Sequence, residues 1–439
     1  MSVLVINSPL FREKKLDYTD NYLPPLGLGY IATSIKLAGF SVELVDSVSK
    51  NLSIKEIVNL INSNLPKFVV MNVFSTNLLL VKDILSLSDS SIHFILGGGT
   101  KYLCEEILSW EIKNNITIIK GEGDFIVSAI ISGENINNFS HDSKKIIQIT
   151  AKSQYFPHDI SRITIDHTFF ENEPLKHQLG FNEAYISTSR GCIYNCAFCG
   201  SAIALNLEEP RRERSIKSVI EEISQLCSLY PQLEVIRILD DLFLVNKESV
   251  DRAYVIFERF SLAWRAMAHI KSISNLDEGE IRKLKFSGCQ ELFFGIESGS
   301  TKIQELIHKI NKPSVIKNTF EKLFRFGINV KAFFIFGFPN ETEYDMQCTY
   351  DLACEIKELS NHFPDINFRT SVFQFRPYHG TELFNQLKMI DSNVCPIKQN
   401  KNLSHKIGRH QFNFASQNFS DVSDDFLETM ISKTIQLSF

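Results

Sequence analysis

No apolar run in this sequence approaches the ~18 residues that a bilayer-spanning helix needs, so no such helix is expected. There is no basic excess either: 46 Lys and Arg face 51 Asp and Glu, a net charge of −5. That excludes a broad cationic footprint for duplex nucleic acid. No basic segment precedes the first apolar stretch, Val3–Asn7, which reads as a β-strand, not an export signal, and points to a cytoplasmic protein. The dinucleotide fingerprint Gly-x-Gly-x-x-Gly does not follow that strand. Tryptophan is scarce, with two against 35 Phe. Cysteine is scarce too, at nine in 439 residues. In a reducing compartment those thiols are to be read as metal ligands or core residues before disulfides. What is present is an ordinary globular balance, 44% apolar and 22% charged, long enough for two or three domains.

Residues 1–135 alternate short β-branched runs with helical patterns, which predicts a doubly wound parallel sheet of five strands: Val3–Asn7, Ser41–Val45, Phe68–Val73, His93–Leu96 and Thr117–Lys120. Glycines cluster where two of these strands end, at Gly97, Gly98 and Gly99 and at Gly121 and Gly123. That carboxyl edge is where open parallel sheets bind ligands. Residues 136–180 are polar and rich in Asn and Pro, and are expected to form a linker. A second alternation fills 181–385, with strands expected at Ala184–Thr188, Glu234–Leu239, Trp264–His269, Glu291–Ile296, Val330–Phe336 and Phe368–Phe375. Six βα repeats are too few for a closed eight-stranded barrel and imply an open, partial one. Residues 386–439 form a less regular extension with a helix near 424–434.

Cys192, Cys196 and Cys199 stand at C-x3-C-x2-C directly after the first strand of this second set. Random placement of nine cysteines gives that spacing on the order of 0.004 times per chain. Two metal readings compete. A structural zinc site wants four tetrahedral ligands, and no fourth Cys or His stands at zinc spacing nearby; His167 and His177 lie upstream. Three close thiolates suit three irons of a 4Fe–4S cube, leaving the fourth iron open to a cofactor.

On those residues the chain resembles the radical S-adenosylmethionine (SAM) enzymes. The resemblance implies that the open iron chelates SAM and that an electron from the cluster releases a 5′-deoxyadenosyl radical. It also implies a reductase or flavodoxin-type electron donor. Further stretches match in order. Asp240 and Asp241 end the second strand, where relatives contact the SAM amino group. Glu297 and Ser298, in Gly295–Ser300, look like the element holding the ribose and carboxylate. Phe336 and Gly337 look like the adenine-side element, with Phe375 ending the sixth strand and Phe198 covering the adenine. His269 reads as a structural histidine with substrate contact as the alternative, and Arg211, Arg212 and Arg214 as an ion-paired face with SAM carboxylate binding as theirs. The remaining cysteines, among them Cys104, Cys227 and Cys289, read as core thiols.

The first domain resembles the cobalamin-binding domain of B12-dependent radical SAM proteins. The matching residues are Pro25, Leu26 and Gly27 at the first helix, Ser75 and Thr76 after the third strand, Gly97, Gly98 and Gly99 after the fourth, and Gly121, Glu122 and Gly123 after the fifth. One departure is plain. Many other B12 proteins carry Asp-x-His-x-x-Gly, whose histidine ligates cobalt; here the run from Asp46 to Asn51 has neither the histidine nor the glycine. The resemblance therefore implies cobalamin without a protein histidine beneath it, or a domain that has lost the cofactor. The expected function is cobalamin-dependent C-methylation of an unactivated carbon in a small metabolite or peptide. The alternatives are a radical cyclisation, rearrangement or oxidation without methyl transfer, a radical enzyme without cobalamin, and a non-catalytic zinc module. A methylthiolating tRNA enzyme is disfavoured, since such enzymes carry three more cluster cysteines in the first domain and this one offers Cys104.

Overall fold

The computed structural model describes residues 2–10, 22–171, 173–177, 179–396 and 416–438. Among these, the chain divides into two compact α/β units, one gathering residues up to 173 with 207–212, the other 174–206 with the residues from 213 on. No helix among the described residues is long and apolar enough to cross a membrane.

The first unit is built on a seven-stranded sheet of β1 (Ser2–Asn7), β2 (Ser41–Asp46), β3 (Phe68–Val73), β4 (His93–Gly98), β5 (Asn115–Lys120), β6 (Phe139–His141) and β7 (Lys144–Gln148), in the order β2-β1-β3-β4-β5-β7-β6. Every pairing is parallel except β6 on β7. The order reverses between β1 and β3, the point where such sheets open a crevice for ligands. Alternate residues of β3, β4 and β5 pack with Ile57, Ile61, Val81 and Ile84 of two covering helices. One of those helices, Ile54–Asn64, starts on a capping box in which Ser53 and Glu56 each accept the other's backbone N–H, at 3.3 and 2.8 Å, a device worth about 1 kcal/mol.

The stretch 136–180, expected as a linker, instead supplies β6 and β7 and then packs on within the first unit as far as Glu173. The signal was hidden because β6 is exposed along its whole length and so carries no apolar run. β7 opens on Lys144, whose buried ammonium donates to the carbonyls of Leu108 and Trp110 at 3.1 and 2.7 Å, where the helix Thr100–Leu108 ends.

The second unit holds β8 (Leu175–Lys176), β9 (Asn182–Ile186), β12 (Val235–Ile238), β13 (Ala263–Ala268), β14 (Cys289–Glu297), β15 (Asn329–Phe336) and β16 (Phe368–Gln374); two-residue strands β10 (Ser189–Arg190) and β11 (Arg212–Glu213) fall between β9 and β12 in the chain. Six strands run parallel in chain order, β9-β12-β13-β14-β15-β16, with β8 antiparallel at the edge of β9, and form a curled half-barrel. Alternation sorts the two faces. Ile236, Trp264, Leu292, Phe294, Ala332 and Phe334 point out into a core shared with the helices. Arg265, Glu291 and Arg369 point in. Arg265 donates to Glu183 at 2.6 Å and to Glu291 at 2.8 and 2.6 Å, and Arg369 donates to Glu291 at 3.0 and 2.8 Å. Burial opposes the Glu291 charge, but the two guanidiniums hold its carboxyl well below the usual range. These inward charges close the floor of the half-barrel with buried ion pairs.

Candidate functional site

The three cysteines sit on the loop leaving β9, and the acidic pair after β12 shapes that loop. Asp240 is buried, and its carboxylate accepts from the Thr188 amide at 2.6 Å and from the Thr188 and Ser189 hydroxyls at 2.7 Å each. Burial pushes its carboxyl up, against those hydrogen bonds. Asp241 accepts from the Gly191 amide at 3.2 Å and the Ser201 hydroxyl at 2.7 Å, so it ties together the residues just before Cys192 and just after Cys199. The middle of the loop is fastened by Ala197, whose N–H donates to Ile307 at 3.1 Å and whose carbonyl accepts from Leu383 at 3.0 Å. Ala197 and Phe198 pack on Ile303, Ile307, Phe338 and Phe375, with the Phe198 and Phe338 rings edge to face at 5.9 Å.

The thiols feel one another and one cation. Burial, with the neighbouring Cys192, pushes the Cys196 thiol up, and burial, with Cys196, takes Cys199 to about 12. Lys309 opposes both shifts. Its ammonium, with the side chain 11% exposed, donates to the Glu297 carboxylate at 2.8 Å. Burial works against the Lys309 charge, but Glu297 and Cys196 hold its pKa above the ordinary value. Glu297 reaches this place because β14 ends on a register shift and a left-handed residue, with φ +65°. Gly295 leaves the room: a methyl there would collide with the Glu297 carboxylate and the Lys309 ammonium. Lys309 was not foreseen; its one signal is a basic residue set between Ile307 and Ile310.

His269 is a structural histidine. Its Nδ1 accepts from the Lys271 amide at 3.1 Å, capping the helix Ile270–Ser274, and its ring stacks on Tyr194 of the cysteine loop at 3.9 Å. Burial, with Lys309 and Lys271, lowers its pKa to about 3 and keeps it neutral.

Several expected cofactor contacts have other tasks. Asp240 does not offer a carboxylate to an ammonium group, because its oxygens are already taken by the turn 188–189. Ser298 is fully buried, with its hydroxyl 2.9 Å from that of Thr349. Phe336 points outward into the helix-packed core. The Gly337 amide donates to Glu341 at 2.6 Å, and Phe375 belongs to the aromatic cluster under the loop. Arg214 pairs with Glu222.

In the first unit the carboxyl edge is a polar network. Asn7 donates to Asp46 at 2.7 Å and accepts from Asn72 at 2.8 Å. Asp46 also accepts from the amides of Val48 and Ser49 at 3.0 and 3.2 Å, and Asn51 takes φ +53°. Nothing in the structure would obstruct a Cβ at Gly27 or Gly97, whereas one at Gly121 would strike the Ile149 carbonyl. Ser75 and Thr76 follow β3 beside Phe74, whose ring is 43% exposed; Gly98 and Gly99 pack close against that ring and the Val73 carbonyl. Leu26 opens the helix Leu26–Leu37 with Pro25 as its N-cap, and Gly123 packs near Ile31 of the same helix. Glu122 turns away to an ion pair with Arg212.

Residues 186–353 match the family model of the radical SAM superfamily. Those residues form a radical SAM domain. Radical SAM proteins use a 4Fe–4S cluster and SAM, and this chain is a radical SAM enzyme. It is similar to an uncharacterised methyltransferase of Pyrococcus horikoshii, 26% identical over 82% of this chain and 78% of that protein. It is 24% identical to the cytidylyl-2-hydroxyethylphosphonate methyltransferase of Streptomyces wedmorensis over 82% of this chain and 77% of that one. It shares its fold with the radical SAM methyltransferase TsrM of Kitasatospora setae, solved with cobalamin and a 4Fe–4S cluster bound, with a TM-score of 0.65, 15% identity, and coverage of 99% and 90% of the two chains.

The donor set of this radical SAM chain suits the cluster. Among the described residues no three His, Cys, Asp or Glu side chains gather as a single-ion site. The Cys196 and Cys199 thiols, pushed up by burial and set beside a lysine, would ionise when iron supplies the positive charge.

Proposed function

We propose that this chain is a cobalamin-dependent radical SAM methyltransferase that methylates an unactivated carbon of a small organic substrate. The observation that carries the reading is the cysteine loop, three thiols held at the barrel mouth by Asp241, Ala197 and an aromatic cluster, with the Lys309–Glu297 pair beside them. Cys192, Cys196 and Cys199 would hold the cluster. Lys309 and Glu297 offer one cation and one carboxylate to the carboxylate and ammonium of SAM. In the first unit, Ser75, Thr76 and the glycines after β4 and β5 would seat cobalamin, with Gly27 and Gly97 leaving its approach open.

When bound, the cluster and SAM supply a 5′-deoxyadenosyl radical and methylcobalamin supplies a methyl group. The chain's own part is to orient and to exclude. Phe198, Phe338 and Phe375 keep an apolar wall behind the loop, which shields a radical from water. The relatives named as methyltransferases favour methyl transfer over ring formation.

The test is anaerobic incubation of the reconstituted protein with SAM, reductant and cobalamin, followed by mass spectrometry. Wild type should form 5′-deoxyadenosine. Cys196→Ala should lower it to the background of a protein without cluster. Deoxyadenosine from the variant at the wild-type rate would overturn the cluster assignment. With a substrate in hand, a product heavier by one methyl group separates methylation from cyclisation.

A further inference from the structure

Among the described residues, the inner face of the half-barrel carries a buried cation, Arg237, that no carboxylate answers. Along β12, Ile236 and Ile238 face the helices, so Arg237 between them faces the concave side. Its guanidinium lies 4.9 Å from the Phe293 ring centre and 6.0 Å from that of Tyr185. Arg237 is 4% exposed, and its Nε and Nη1 are buried without a hydrogen-bond partner. Arg265, beside it in register, pairs with Glu183 and Glu291. The layer thus holds Arg237, Arg265, Lys331 and Arg369 against Glu183 and Glu291, and no carboxylate among the described residues pairs with Arg237.

A buried cation without a partner costs several kcal/mol, and such groups in folded proteins usually answer to a ligand, ion or water. The concave face above it is open. Leu239, Met267, Phe333 and Ile335 stay partly exposed although their strands lie mid-sheet, as does Phe373 on the edge strand β16. Leu239 is two residues beyond Arg237, about 7 Å nearer the mouth. The lumen therefore offers a cationic floor, then apolar walls, then the cysteine loop.

We propose that Arg237 anchors the substrate, and that the substrate is a small carboxylic acid with an apolar body. The planar fork of the guanidinium matches a carboxylate with two parallel hydrogen bonds, while the Phe293 ring steadies its face. The bound acid would extend its apolar part along Leu239 and Met267 toward the mouth. Calling this ligand the substrate rests on the function proposed above; the anion site itself does not.

Calorimetric titration of the reconstituted protein tests it with three probes. Benzoate carries charge and an apolar ring, benzamide the ring alone, and inorganic phosphate the charge alone. Wild type should bind benzoate and bind benzamide at least about tenfold more weakly. Arg237→Gln should weaken benzoate by about tenfold or more, and Arg237→Lys, which keeps the charge without the fork, by less. The proposal is overturned if wild type does not bind benzoate, if benzamide binds equally well, or if Arg237→Gln binds benzoate unchanged. Phosphate binding more tightly than benzoate overturns the carboxylate assignment. None of these readouts uses radical chemistry, so a wild type that forms no deoxyadenosine would sink the proposed function and leave this result standing.

Discussion

Glu341 is a carboxyl that the fold keeps neutral. One oxygen accepts from the amides of Gly337 and Phe338 at 2.6 and 3.0 Å, and the other is buried without a partner. Burial outweighs those two hydrogen bonds and raises its pKa to about 8, from an ordinary 4.5. A raised carboxyl pKa means that between those two values the folded protein keeps a proton that the unfolded chain has released. Its contribution is therefore lost as pH rises from about 4.5 to about 8, by about 1.4 kcal/mol per unit at most. Glu341→Gln, neutral at every pH, should show a flatter decline in melting temperature than wild type across that window, with the gap closed at the acid end. Parallel profiles for the two proteins would mean that Glu341 is ionised in the native state. The residue was silent in the sequence because Gly-Phe-Pro-Asn-Glu reads as a turn, and only the fold shows the glutamate folding back onto its first amides.

At the scale of elements, the cysteine loop is held at its ends and at its middle by different means. Asp241 is exposed, and its carboxylate makes two hydrogen bonds, to Gly191 and Ser201. Each is worth about 1 kcal/mol, so Asp241→Ala should leave the melting temperature within a few degrees of wild type. The loop ends would then be free to part, and iron retained after reconstitution should fall well below wild type. Full iron content in a normally folded variant would show that the Ala197 fastening suffices. The six parallel strands of the second unit were legible because each is a compact β-branched or aromatic run bounded by turn residues, and Cys192, Cys196 and Cys199 because their spacing is improbable. The role of Asp240 was hidden for a physical reason. A strand-end carboxylate looks the same in sequence whether it faces a ligand or a neighbouring turn, and here the turn of Thr188 and Ser189 is distant in the chain. Lys309 was missed likewise, because its meeting with Glu297 depends on the left-handed backbone at the end of β14.

For the whole molecule, the question is whether the first unit serves cobalamin or has lost it. The turn after β2 bears on that choice. Val48 stands where other B12 proteins place histidine, and Asn51 where they place glycine. Yet Asp46 still accepts from the two amides that close this turn, and Asn51 adopts the left-handed φ that a glycine would take more cheaply. A domain freed from ligand binding has no need to keep a strained turn at the carboxyl edge of its sheet. Retention of the turn without its histidine favours a cofactor seated with no protein nitrogen below it. Reconstitution with hydroxocobalamin should therefore leave corrin absorption bands after desalting, about one equivalent per chain. After reduction to cobalt(II), electron paramagnetic resonance should show none of the nitrogen superhyperfine splitting that an axial histidine produces. Loss of the corrin on desalting would mean that the sheet now serves something else. Nitrogen splitting would mean that a histidine from outside this turn, or the cofactor's own base, occupies the lower position.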